Sequence, residues 1–241
     1  MGAMEGKETR FGVVGSVIWS VYTTLASNGS VNAMHSSLAP ITGGIAMLNM
    51  LLGEVVFGGV GCGLYGMILF AILTVFLAGL MVGRSPEYLG KKIEIGEMKF
   101  AIFAILISSV CVLLGTAIAF KTPSALASLS TTGPHGMSEM LYNFASASNN
   151  NGSAFGGMNA NTVFYNVTFS ICMFFGRFGI LVPVMAISGK LALKKFTPPS
   201  IGTFKTDSPL FVSLLIAIVL VVGALTFFPA LTLGPILEAM L

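Results

Sequence analysis

Charged residues are scarce in this sequence of 241 residues. Only 9% of them are Asp, Glu, Lys or Arg, whereas 55% are hydrophobic, and the mean hydropathy is +0.91. Soluble globular domains carry roughly 25% charged residues, so that class is excluded. The net charge of +3 is small and includes no basic block of the kind that binds nucleic acid. The sequence therefore predicts an all-α integral membrane protein that contacts the lipid bilayer and no nucleic acid.

Motifs for metal binding and catalysis are also lacking. The three cysteines, Cys62, Cys111 and Cys172, lie in apolar runs without CxxC or Cys/His spacing, so we predict buried thiols. The histidines His35 and His135 lie in loop sequence without a second ligand at metal spacing. No P-loop, no Asp-Lys-Thr-Gly phosphorylation motif and no Ser/His or Asp/Asp set within the apolar runs is found. We predict a non-catalytic protein without an organic cofactor.

Long apolar runs cover residues 45–81, 100–120, 162–193 and 210–228, which is room for about four membrane spans of roughly 20 residues each. The first run is too long for one straight span. Its glycine cluster costs about 1 kcal/mol per glycine in a helix interior, which predicts a break there. Pro183 predicts a kink in the third run. The lysine-rich segments 84–99 and 190–205 predict the cytoplasmic side.

Two polar loops recur at a constant offset of 123 positions, from residue 28 to residue 151. The same offset relates Gly53 to Gly176 and Gly66 to Gly189, which indicates an internal repeat. The loops are Ser27-Asn28-Gly29-Ser30 and Asn150-Asn151-Gly152-Ser153. Two membrane crossings separate them, so the repeats are predicted to be parallel, whereas inverted repeats need an odd number.

A short helix is predicted before each loop, over residues 11–26 and 137–148, with Ser138 as N-cap and Glu139 in the first turn of the second helix. Sixteen helical residues reach only about 24 Å, so we predict helices that enter the membrane part-way and turn back. An ordinary short helix is the alternative. Residues 31–44, which include Pro40, are predicted to return to the surface.

The order of short helix, polar glycine loop and long span is typical of ion-selectivity filters. A dehydrated cation needs backbone carbonyl oxygens, and glycine accepts the dihedral angles that let successive carbonyls face one axis. The tripeptide Asn-Gly-Ser is also a turn signal and a glycosylation sequon. Its recurrence at a fixed offset favours two filter loops.

Two charges fall within the apolar runs, and each directly follows a glycine matched by the offset. Glu54 follows Gly53, and Arg177 follows Gly176. Charge inside a membrane is costly and faces a cavity or a partner. Two interpretations stay open, namely an ion pair between Glu54 and Arg177, or residues that line or gate an ion route. The glycines predicted to line that route are Gly58, Gly59 and Gly61.

Several unusual strings resemble a known family, the potassium-binding A subunit of the bacterial Kdp transport ATPase. The resemblance runs from about Glu5 to the C-terminus. It includes VNAMH (31–35), GEVVFGGVG (53–61), GRSPEYLGKK (83–92), GPHG (133–136), NNNGSAF (149–155) and GRFG (176–179).

The resemblance implies four helix, loop, helix repeats around a central potassium filter, of which this sequence looks like the third and fourth. It also implies a membrane-embedded, multi-pass subunit of the bacterial inner membrane. Such a subunit passes extracellular potassium through an intramembrane tunnel to a P-type ATPase subunit, with small accessory subunits. A stand-alone cation channel or an ion-coupled secondary transporter is the alternative.

The predicted organisation has four segments. Residues 1–10 are a polar leader or a cloning remnant, and residues 11–98 hold the short helix, the loop and the broken span of the third repeat. Residues 99–195 hold the complete fourth repeat, and residues 196–241 form a C-terminal transmembrane helix.

Overall fold

The structure is a computed structural model that describes residues 10–55, 58, 62–198 and 203–241. Four of its helices are long and apolar enough to cross a membrane: Gly63–Val82, Ile95–Lys121, Val163–Leu193 and Pro209–Met240. The predicted number of spans is confirmed. In the last three, only 22% of the most apolar window is buried within the described structure.

The first repeat consists of α1 (Gly12–Leu25), a 3-10 turn (His35–Ser37), α2 (Pro40–Leu51) and α3 (Cys62–Val82). A helix break is observed between α2 and α3, as predicted. Gly58 lies within the break, whereas Gly59 and Gly61 fall outside the described residues.

The segment predicted to return to the surface is partly helical. The helix α2 already begins at Pro40, so residues 40–44 are not the irregular backbone that their proline and glycines indicate. Proline suits the first turn of a helix, where its missing N–H would have no partner in any case.

The remaining elements follow in a simple order. A hairpin of β1 (Glu87–Tyr88) and β2 (Lys91–Lys92), paired antiparallel, connects α3 to the second repeat. The second repeat consists of α4 (Ile95–Lys121), α5 (Pro123–Leu126), α6 (Pro134–Asn149) and α7 (Val163–Leu193). The C-terminal part consists of α8 (Pro209–Leu231), a π-helical turn (Thr232–Ile236) and α9 (Leu237–Met240).

The start of α6 differs from the prediction. The helix begins at Pro134 after Gly133, whose φ is 76°, so Ser138 lies inside the helix and is not its N-cap. Glu139 is buried, and its carboxylate accepts hydrogen bonds from the backbone N–H (3.1 Å) and the hydroxyl (2.7 Å) of Ser130. Proline at the first helical position has moved the helix start ahead of the Ser-Glu signal.

Two other helices can be compared with the sequence, and the predicted kink at Pro183 stays a prediction. The helix α4 starts within the predicted cytoplasmic loop, because Glu94 and Glu97 form a capping box that satisfies its first turn. The helix α7 continues through Gly176 and Pro183 without a break. The second repeat therefore has one continuous helix where the first has two.

The core of the described structure surrounds α6. Eleven of its sixteen residues are buried, among α2, α4, α7 and the C-terminal turn. In contrast, the buried residues of α1 are four polar ones, namely Ser16, Ser20, Thr23 and Thr24. The short helix of the second repeat is thus central, whereas that of the first lies at one side.

Lys194 connects the end of α7 to the start of α4. Its ammonium group donates to Glu97 Oε2 (2.7 Å) and the carbonyl of Lys92 (2.9 Å), and it lies 3.2 Å from Glu94 Oε2. Burial disfavours the charge, but the hydrogen bonds to Glu97 and Glu94 outweigh it, so the pKa of Lys194 is raised. The contacts of the Lys194 ammonium group therefore stabilise the fold fully below the ordinary lysine pKa. This stabilisation is lost as the pH rises through the raised pKa of Lys194.

We expect Lys194→Met to lower the free energy of unfolding by about 1–3 kcal/mol, because the buried Glu97 carboxylate loses its cationic partner. The matched control is Lys195→Met, since Lys195 is exposed. Thermal unfolding of the full-length protein in detergent measures both variants. Equal melting temperatures for the two variants would contradict the assignment.

Candidate functional site

The two polar loops share one backbone conformation. Left-handed φ angles occur at Ser27 (50°) and Gly29 (77°) in the first loop, and at Asn150 (56°) and Gly152 (101°) in the second. These positions match one to one at the offset of 123. In each loop an asparagine without a positive φ separates the two left-handed residues, and the glycine permits the second without strain.

An asparagine closes each loop in the same way. Asn28 Oδ1 accepts a hydrogen bond from the backbone N–H of Ser30 at 3.0 Å, and Asn151 Oδ1 accepts one from Ser153 N–H at 3.0 Å. The two serine hydroxyls also donate to the same oxygens, and the Ser153 bond is 2.6 Å long. The loops are therefore built as turns on an asparagine side chain.

Each loop leaves its short helix through an equivalent bond. The N–H of Asn28 donates to the carbonyl of Thr23 at 3.2 Å, and the N–H of Asn151 donates to that of Ser146 at 2.9 Å. The loop conformation thus begins at the last helical turn. The internal repeat predicted from the sequence is present in the hydrogen bonding.

An aromatic side chain of each short helix also contacts its loop. Trp19 Nε1 donates to the carbonyl of Ser30 at 3.1 Å, and the Tyr142 hydroxyl lies 2.9 Å from Ser153 Oγ. Trp19 is 41% exposed, whereas Tyr142 is fully buried. The two aromatic side chains occupy matched positions in the repeats, but one is partly exposed and the other is buried.

The two loops contact each other directly at their glycines. A Cβ atom on Gly29 would lie 2.2 Å from the carbonyl oxygen of Asn151 and 3.1 Å from Cα of Gly152. The Ser27 hydroxyl donates to the carbonyl of Asn150 at 3.4 Å. The predicted loop residues are therefore brought together, with no room for a side chain at Gly29.

Glu54 lies behind the second loop and is 1% exposed. Asn151 Nδ2 donates to Glu54 Oε1 and to the carbonyl of Thr23, each at 2.8 Å. The carboxylate is also within hydrogen-bonding reach of Ser27 and interacts electrostatically with Arg177. Because a buried carboxylate is costly without partners, these groups act as one unit.

A glycine packs against the end of each short helix. A Cβ on Gly58 would lie 2.5 Å from the carbonyl oxygen of Leu25, and a Cβ on Gly176 would lie 1.7 Å from that of Ser148. Leu25 and Ser148 match at the offset of 123, whereas the two glycines do not. In both repeats a glycine after the loop therefore contacts the end of the short helix, but the two glycines do not occupy matched positions.

A cavity of about 60 Å³ adjoins Glu54. Its polar lining includes Ser108 and Asn149, and Gly53 and Gly176 from the two repeats also border it. Ser108 Oγ donates to Asn149 Oδ1 at 3.0 Å. A space of this size has room for a small number of water molecules. The lining is otherwise mostly apolar, so the cavity places a few polar groups next to the buried carboxylate.

Metal-binding side chains are not clustered in the described residues. In that part of the chain, no group of three or more His, Cys, Asp or Glu side chains could hold a metal ion. The oxygen donors available at the loops are backbone carbonyls, asparagine amides and serine hydroxyls.

Some site residues were missed from the sequence. Trp19 and Tyr142 were not singled out, and neither were Thr23 and Ser146. The offset of 123 was the available signal, because it pairs each of these residues with a polar or aromatic partner when extended back into the short helices.

The family model described as the potassium-transporting ATPase A subunit (KdpA) matches residues 1–240. The chain belongs to this family. As a KdpA chain it is all-α and multi-pass, with tandem channel-like repeats, in agreement with its four long apolar helices.

Curated relatives of this KdpA chain carry the name potassium-binding subunit of a potassium-transporting ATPase. The protein of Herpetosiphon aurantiacus is 61% identical over 240 residues, covering 100% of this chain and 42% of the relative. The proteins of Methylococcus capsulatus (59%; 98% and 40% covered) and Leptospira interrogans (58%; 99% and 43% covered) are similar. The chain thus spans about two fifths of the length of these relatives.

We expect Gly176→Ala to lower the free energy of unfolding by about 1–3 kcal/mol, since its Cβ would overlap the backbone of Ser148. Gly189→Ala is the matched control in the same helix, because nothing lies within 4 Å of its Cβ position. Thermal unfolding of the full-length protein distinguishes them. A stable Gly176→Ala variant would mean that the close approach is absent.

Proposed function

We propose that the chain is part of the potassium-binding and translocating subunit of an ATP-driven, high-affinity uptake complex in the bacterial inner membrane. Residues 27–30 and 150–153 form two segments of its selectivity filter, which binds extracellular potassium through backbone carbonyls. The single observation that carries the proposal is the pair of loops with matching φ angles that meet at Gly29 and Gly152.

The loop geometry suits a dehydrated cation. Left-handed φ angles at alternate residues rotate successive peptide planes, which allows neighbouring carbonyl oxygens to face one side. The side chains of Asn28 and Asn151 accept hydrogen bonds from the N–H groups and hydroxyls of Ser30 and Ser153. The carbonyl of Ser30 accepts from Trp19 and that of Asn150 accepts from Ser27, so the other loop carbonyls are the groups proposed to replace the hydration shell of an ion.

A complete filter needs further loops, and the relatives are more than twice as long as this chain. The outward face of α1 supports packing of further repeats next to the first loop. Val14, Ile18 and Tyr22 on this helix are 73%, 50% and 64% exposed, although the helix adjoins the loops. We propose that two further repeats cover this face and complete the ring.

The ion route beyond the loops is proposed to pass the cavity beside Glu54 and to continue as an intramembrane tunnel to the ATPase subunit. Arg177 acts on the Glu54 carboxylate and would gate this route, which Gly58, Gly59 and Gly61 would line. ATP hydrolysis is assigned to a P-type partner subunit, with small accessory subunits in the same complex. The names of the relatives and the lack of catalytic motifs support this division.

The repeat boundaries are part of the proposal. Residues 11–98 and 99–195 act as the two repeats, and residues 196–241 act as a C-terminal anchor. Potassium is the only proposed ligand.

We expect Gly29→Ala to raise the potassium concentration for half-maximal ATPase activity at least tenfold. The methyl group would collide with the Asn151 carbonyl, and alanine disfavours the φ of 77°. The measurement is potassium-stimulated ATPase activity of the complete complex.

Gly83→Ala is the matched control, because Gly83 has a φ of 68° with nothing within 4 Å of its Cβ position. It carries the same backbone strain away from the loops. An equal potassium response for both variants would count against the filter assignment.

We expect Arg177→Ala to alter the rate of potassium transport while the complex still assembles. Removing the guanidinium changes the field at the buried Glu54 carboxylate, which adjoins the cavity. Uptake of radioactive rubidium into proteoliposomes measures it, with exposed Arg84→Ala as control. Transport equal to that of the unmodified complex would remove Arg177 from the ion route.

A further inference from the structure

A continuous series of polar side chains runs behind the second loop. His35 Nδ1 lies 2.7 Å from the Tyr142 hydroxyl, which lies 2.9 Å from Ser153 Oγ. Ser153 Oγ donates to Asn151 Oδ1 at 2.6 Å, and Asn151 Nδ2 donates to Glu54 Oε1 at 2.8 Å. We call these five residues the polar network.

The polar network is buried throughout. None of the five residues is more than 5% exposed, and Tyr142 is fully buried. Hydrogen bonds in such a site are costly to lose, because the released donor or acceptor finds no water. The network is therefore a rigid connection and not a set of interchangeable surface contacts.

The direction of hydrogen donation follows from the number of available protons. The one hydroxyl proton of Ser153 goes to Asn151, so Ser153 accepts from the Tyr142 hydroxyl. Tyr142 must then accept from His35, which requires the proton of His35 on Nδ1. Every bond therefore donates in one direction, from His35 to the Glu54 carboxylate, and each bond strengthens the next.

The polar network joins the two repeats. Its ends belong to the first repeat, since His35 lies in the turn after the first loop and Glu54 lies after α2. Its middle belongs to the second repeat, through Tyr142 on α6 and through Asn151 and Ser153 of the second loop. The second loop is thus held by the first repeat on two sides.

The first loop has a different support. The position matched to Tyr142 is Trp19, whose Nε1 donates to the carbonyl of Ser30. The position matched to His35 is Met158, whose sulfur accepts from Asn143 Nδ2 at 3.6 Å. The network therefore cannot be a repeated feature of both loops, and its effect falls on the second.

We propose that Tyr142 and His35 are positioning residues that set the potassium selectivity of the second loop through Ser153, Asn151 and Glu54. The inference rests on the proposed filter function, to which it adds two residues outside the loops. Neither residue touches the ion. They fix the distance between the second loop and the first, and this distance decides whether the carbonyls fit potassium or the smaller sodium ion.

The decisive variant is Tyr142→Phe in the full-length subunit, assembled with the other subunits of the proposed complex. We expect the potassium concentration for half-maximal ATPase activity to rise about five- to tenfold, the effect of one lost buried hydrogen bond. We also expect stimulation by sodium to rise relative to stimulation by potassium. A purely structural role would not change this ratio.

Tyr165→Phe is the matched control. Tyr165 is also fully buried, and its hydroxyl donates to the carbonyl of Ala125 at 3.2 Å, away from both loops. We expect it to lower the melting temperature as much as Tyr142→Phe does, without changing the potassium response. Equal ion responses in the two variants would overturn the inference.

Two substitutions of His35 test the other residue of the His35 to Tyr142 contact. His35→Gln retains an amide that can donate to the Tyr142 hydroxyl, whereas His35→Leu cannot. We expect the leucine variant to reproduce the selectivity change of Tyr142→Phe and the glutamine variant to restore most of the potassium preference. If Tyr142→Phe and His35→Leu both keep the unmodified potassium-to-sodium ratio, the inference is wrong.

The unmodified complex separates the two levels of the argument. If its activity does not depend on potassium, the proposed function is wrong, and the inference falls with it. If it depends on potassium but the network variants leave its selectivity unchanged, only the inference is wrong.

Discussion

The structure depends on one constraint, which is that irregular backbone among apolar helices must have its polar groups paired. Two short loops interrupt otherwise helical repeats, and each contains N–H groups that a helix would have satisfied. An asparagine side chain closes each loop and returns it to the preceding helix. The asparagine closure itself uses no loop carbonyl, whereas the carbonyls of Ser30 and Asn150 accept hydrogen bonds from Trp19 and Ser27.

The buried carboxylate of Glu54 follows from the same constraint. A charge in this position is stable only with several donors, and the protein takes them from both repeats. Asn151 therefore serves two purposes, since its oxygen closes the second loop and its amide nitrogen binds Glu54. A movement of the carboxylate would act directly on the second loop through the Asn151 side chain. We regard this shared asparagine as the physical link between the second loop and the cavity.

Much of this arrangement could be predicted because the repeat is encoded at a fixed offset. The two loops, the short helices before them and the four long helices were expected from residue spacing and apolar length alone. The helix ends were harder to predict. At Pro134, proline overrode the Ser138-Glu139 capping signal, and at Pro40 it started a helix where glycines had indicated a loop.

Glycine was the main source of ambiguity. Gly58 lies in a broken helix and Gly176 in a continuous one, yet both allow the backbone of a preceding helix to approach closely. A sequence shows that a side chain is absent but not whether a bend or a contact requires its absence. The His35 to Tyr142 contact had no local signal at all, because it joins residues 107 positions apart that no motif connects.

The His35 to Tyr142 contact makes the order of the two repeats matter. The segment after the first loop reaches forward to the short helix of the second repeat, and the matched Met158 makes a different contact, so the two repeats cannot be exchanged. A protein with the same repeats joined in the opposite order would place Trp19 where tyrosine is needed and a methionine where histidine is needed. The order of the two repeats along the chain is therefore part of the structure around the loops, and an exchange of the repeats would remove the His35 to Tyr142 contact.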